Sequence, residues 1–132
     1  MSKLRGALRS LLALIMVGAG VAHFAMPEGF ERIVPAFLPA PHALVLVSGV
    51  FEILGGVGLL VPRSRRFASY GLIALFVAVF PANLNMALND IQPIDGHVPT
   101  FLLWLRLPLQ AALIAWAWWV GKTPAAPPGA RV

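Results

Sequence analysis

Apolar residues dominate the chain in four long runs, separated by short polar stretches. The runs cover about Ser10–Phe24, His42–Val61, Phe67–Leu88 and Thr100–Val120. A helix that crosses a bilayer needs about 20 mostly apolar residues. The last three runs reach that length. The first reaches it only if it begins near Leu4, with Arg5 and Arg9 extending toward headgroups. The pattern predicts an all-α integral membrane four-helix bundle with spans at about 5–24, 42–61, 67–88 and 100–120. These form one domain over residues 1–121, followed by a disordered tail over 122–132 that is rich in Pro, Ala and Gly. The basic start and small residues up to Ala22 also fit a secretory signal peptide, whose cleavage would leave three spans.

The first connection has a pattern of its own. Phe30, Ile33, Val34, Phe37 and Leu38 fall at helical spacing, with Glu28, Glu31 and Arg32 elsewhere. This predicts a short interfacial helix, bent or ended at Pro35. An extended, proline-stiffened loop fits the same residues.

Composition supports lipid as the solvent. Hydrophobic residues make up 59% of the chain and charged residues 11%, whereas a soluble domain devotes about a quarter of its residues to charge. The net charge is +5, but the basic residues lie in clusters between apolar runs, not along a nucleic-acid-binding stripe. Lys3, Arg5 and Arg9 precede the first run. Arg63, Arg65 and Arg66 separate the second and third, and Lys122 and Arg131 follow the fourth. The other two connections carry Glu28, Glu31, Asp90 and Asp95 against Arg32. Positive connections stay in the cytoplasm. Both termini are therefore expected on the cytoplasmic side of the cell membrane, with Trp116, Trp118 and Trp119 as an interfacial anchor.

The chain contains no cysteine, which excludes disulfides, thiolate metal sites and thiol relays within it. No metal site is expected, because His23, His42 and His97 form no close ligand pair in sequence.

Inside the runs, His23, Glu52, Asn83, Arg106 and Gln110 are polar where lipid tolerates little polarity. Glu52 lies about ten residues into its helix, about 15 Å from the outer end. A carboxylate there must be protonated, paired or hydrated. Ser48, Gly49, Gly55 and Gly56 lie three or four residues away, and small residues let helices approach, so the Glu52 face is expected to look inward. Arg106 is its expected partner, through two parallel hydrogen bonds. Gln110 lies one turn deeper on the same face. Pro81 and Pro108 sit in the same layer, and each deprives a carbonyl of its helical partner, those of Val77 and Trp104. Such breaks are tolerated where protein, water or ligand satisfies them. One polar cavity in the outer half of the bundle is the simplest reading.

These residues also carry a resemblance. His23-Phe24 followed by Pro27, Ser48-Gly49 with Glu52, Gly55-Gly56 then Pro62, Phe80-Pro81-Ala82-Asn83, and Arg106-Leu107-Pro108 with Gln110 resemble the DoxX-like membrane proteins from about Leu12 to Trp119. The resemblance implies a four-helix membrane bundle and an association with membrane redox systems, since the family takes its name from a subunit of a thiosulfate:quinone oxidoreductase.

Three functional expectations follow. The cluster of Glu52, Asn83, Arg106, Gln110 and His23 binds a quinone or other lipophilic molecule, with a redox enzyme as partner. Alternatively, Glu52, with His23 as a second candidate, is the acid or base of a membrane enzyme acting on a lipophilic substrate. Or the cluster is a helix clasp in an accessory subunit or small transporter, the last requiring a homo-oligomer.

Overall fold

A computed structural model describes residues 2–92, 97–122 and 129. The described residues form helices α1 (Ser2–Ala25), α2 (Pro27–Ile33), α3 (Pro41–Leu60), α4 (Arg65–Leu88) and α5 (Thr100–Val120). Four of them, all but α2, are long and apolar enough to cross a membrane. The expected disordered tail falls almost wholly outside the described residues.

The long helices touch in the order α1–α3–α4–α5, and α5 returns to α1. Glycine sets the tightest of these contacts. A Cβ on Gly20 would lie 2.6 Å from the Gly49 carbonyl oxygen, and one on Gly56 would lie 2.8 Å from that of Ala13. The α1 and α3 backbones are therefore in direct contact, the arrangement small residues permit between helices in lipid. Gly58 makes room for a side chain of α4, since an added Cβ would come within 2.7 Å of Ala68 Cβ. The expectation that small residues around Glu52 mark an inward face is met at Gly49 and Gly56, both buried.

The apolar interior divides in two. A larger cluster includes Leu12, Met16, Leu59, Leu72, Phe76 and Val120. A smaller one, at the α2 end, joins Ile33, Met86, Ala87 and Leu103. On the outside, Leu14, Phe51, Leu54, Val77 and Phe101 stand exposed. Large apolar side chains thus cover the outer surface of every long helix, as a lipid-facing surface requires and a water-facing one does not.

The first span has the full length expected for a start near Leu4, because α1 is a continuous 24-residue helix. One expectation is adjusted. The first connection does form a helix, α2, but it starts at Pro27, whose missing N–H suits a first-turn position. It stops at Ile33, because Val34 precedes Pro35 and takes the extended conformation that position favours. Ile33 is buried, but Phe37 lies beyond the helix and is exposed, so the expected five-residue face ends at Ile33.

Candidate functional site

A cavity of about 470 Å³ lies among all five helices, sharing Met16 and Phe76 with the larger apolar cluster and Ile33 with the smaller. His23, Glu52, Asn83, Arg106 and Gln110 all line it, with Ser48 as a further polar neighbour. Every polar residue singled out by sequence thus reaches one space, although the pairing within it differs from expectation.

Glu52 does not pair with Arg106. Its Oε2 lies 3.1 Å from His23 Nδ1, because the glycine contact holds α1 against α3. Arg106 projects from α5, which packs chiefly against α4 and α1. The His23 Nδ1–H donates to the Ala19 carbonyl at 2.7 Å, since a carbonyl can only accept. That fixes the ring and, when the imidazole is neutral, makes Nε2 its acceptor nitrogen. Glu52 Oε2, although buried, has no hydrogen bond of its own. Arg106 makes a long contact from one guanidinium nitrogen to Met86 Sδ, 3.9 Å away. Sulfur is a weak acceptor, so the cation retains nearly all its hydrogen-bonding capacity.

Asn83 and Gln110 are committed to each other. Asn83 Nδ2 donates to Gln110 Oε1 at 2.8 Å, and Gln110 Nε2 donates to the Phe76 carbonyl. Gln110 is 4% exposed. The side chain therefore bridges α5 to α4 beside the break at Pro81. It engages the carbonyl one residue before Val77, whose carbonyl was expected to be freed. The two amides work as a clasp and form part of the cavity wall.

Helix α2 covers the space. Phe30 stacks on His23, with ring centroids 3.9 Å apart and planes at 15°. Asn85 Nδ2 donates to the Ile33 carbonyl at 3.0 Å, tying the end of α2 to α4, and His42 pairs with Glu31 to tie α2 to α3. Sequence alone offers no sign of the Phe30 contact, because Pro27 interrupts the helical register between the two rings. Stacked aromatic pairs contribute about 1 kcal/mol beyond area burial, so Phe30→Ala should raise amide hydrogen exchange in α2 about fivefold. Unchanged exchange would show that the polar ties alone hold the cover.

Fold and cavity together define the class: an all-helical protein with, among the described residues, four helices fit to cross a membrane and a mostly apolar cavity between them that holds a few polar groups. Within that class, the chain belongs to the family described as Domain of unknown function (DUF8561), whose model matches residues 12–121. No curated protein and no solved structure matches it.

Proposed function

We propose that this is a four-span membrane protein of the DoxX-like kind, with both termini cytoplasmic. Its cavity binds a quinone or a similar lipophilic molecule in support of a membrane redox system. The observation that carries this reading is a single apolar-walled space holding an under-used cation, Arg106, and a buried carboxyl oxygen without a hydrogen bond, on Glu52. Binding pockets for small molecules span about 300–1,000 Å³, with mostly apolar walls and a few polar groups that fix orientation. This cavity has that size and character.

A quinone head matches the polar groups. Its carbonyls accept hydrogen bonds, which the Arg106 guanidinium donates. Reduced to the hydroxyl form, it also donates, and Glu52 Oε2 or His23 Nε2 accepts. Glu52 and His23 are also the groups placed to carry the protons that accompany the redox change. The apolar tail would lie among residues such as Leu44, Leu109 and Leu113. Asn83 and Gln110, already bonded to one another, shape the wall and make no primary contact with the ligand. The clasp reading thus applies to this pair and leaves the cavity's polar head to the other three residues.

Lipid extracts of the purified protein should contain a quinone at near one per chain, and Arg106→Ala should lower its retention at least about tenfold, as expected for a charge-assisted hydrogen bond. Normal retention in Arg106→Ala would refute the assignment.

A further inference from the structure

At the end of the molecule away from α2, a second and smaller pocket of about 210 Å³ lies between the start of α4 and the end of α5. We propose that it holds the phosphodiester of one anionic phospholipid, gripped by Arg66 and Lys122.

The case begins with charge. Seven lysines and arginines lie within residues 3–9, 63–66 and 122, at this end of the chain's helices. The acidic residues are Glu28, Glu31, Glu52, Asp90 and Asp95. The nearest along a helix is Glu52, eight residues from the end of α3, or about 12 Å. Among the described residues, no acidic side chain lies at this end of the helices to neutralise the cluster by contact.

Several of these cations are nevertheless engaged. Arg9 Nε donates to the Val120 carbonyl at 2.8 Å and Arg65 Nε to the Leu59 carbonyl at 2.9 Å. Each thereby caps the carbonyl end of a helix, where positive charge is favourable. Arg66 and Lys122 do neither. Among the described residues their charged groups meet aromatic faces, Arg66 over Tyr70 at 5.4 Å and Lys122 over Trp118 at 3.7 Å. A ring face orients a cation without consuming its N–H donors. Both side chains are therefore held in place at the pocket with donors to spare.

The floor is fixed as well. Ser69, 2% exposed, donates to the Ala117 carbonyl at 2.7 Å, and Gly121 packs so closely on Ser69 that any side chain there would overlap it. Two oriented cations over a rigid floor suit a compact anion with several acceptor oxygens, and phosphate is the group of that kind. Tryptophan and tyrosine at a helix end mark the membrane–water boundary, the depth at which a lipid presents its phosphate. This proposal rests on the membrane-spanning reading and is independent of the cavity's occupant.

The test is native mass spectrometry of the full chain, with phosphatidylglycerol or phosphatidylcholine added in mixed micelles. One phosphatidylglycerol should remain bound in preference to phosphatidylcholine. A cation near the membrane surface contributes about 1 kcal/mol to anionic-lipid binding. The double variant Arg66→Gln with Lys122→Gln should therefore bind phosphatidylglycerol roughly thirtyfold more weakly. Arg63→Gln, which removes a charge outside the pocket, should weaken binding no more than about fivefold, the effect of one surface cation. Quinone retention should be the same in all three proteins, which separates failure here from failure of the cavity reading. Equal loss in Arg63→Gln would replace a site with diffuse attraction. Undiminished binding in the double variant would overturn the site, and displacement of the lipid by millimolar inorganic phosphate would assign the pocket to a free anion instead.

Discussion

Gly20→Leu should cost about 3 kcal/mol or more, the upper range for overpacking a close contact, and should disable the cavity as well. The obstacle is backbone. A Cβ at position 20 would meet the Gly49 carbonyl oxygen at 2.6 Å and Ile53 Cγ1 at the same distance. A carbonyl in the middle of a helix cannot rotate away, so α1 and α3 must separate. Their separation draws His23 from Glu52, whose 3.1 Å contact depends on that approach. The variant should therefore unfold at lower denaturant concentration, followed by the fluorescence of the four tryptophans, and its folded fraction should retain less quinone. Gly71→Leu is the control, because nothing lies within 4 Å of a Cβ built there. Equal destabilisation by both would show that the cost is intrinsic to losing glycine and unrelated to the α1–α3 contact.

The second large effect is expected at Gln110. Gln110→Leu keeps the volume but removes both the bond from Asn83 and the bond to the Phe76 carbonyl. Polar groups left unpaired in a buried setting cost about 1–3 kcal/mol each. Hydrogen bonds between membrane helices average about 0.6 kcal/mol, because the unfolded state in lipid finds other partners. A net loss of about 2 kcal/mol is expected for Gln110→Leu, since two groups lose their partner together and Pro81 has already weakened the local helix ladder. Asn83→Ala should cost less, because Gln110 keeps its bond to Phe76. The double-mutant cycle should return a coupling of about 1 kcal/mol. Quinone retention should survive Asn83→Ala, since the amide closes the wall without holding the head. Loss of quinone without loss of stability would move Asn83 into direct contact with the ligand.

Much of the site was legible because lipid makes polarity conspicuous. In water, His23, Glu52, Asn83, Arg106 and Gln110 would be ordinary surface residues. Within apolar runs each needs a partner, and residues that need partners collect in one place. All five line the same cavity for that reason. Their pairing was not legible. Depth along a helix can be counted at 1.5 Å per residue, and by depth Arg106 suits Glu52. Pairing also depends on which helices are neighbours and how closely they approach. His23 wins that contact because Gly20 and Gly49 bring α1 against α3.

The sequence by itself determined the number and length of the long helices, the segregation of basic from acidic connections, and the layer in which polarity gathers. These are one-dimensional properties, set by runs of apolar residues and by spacing along a helix. Only the tertiary structure decided that Gln110 and Asn83 clasp α4 to α5, that Phe30 lies on His23, and that Arg66 and Lys122 share a pocket. Each of these joins residues from different helices or their ends, and such contacts depend on helix rotation and separation, which close packing fixes and periodicity does not encode.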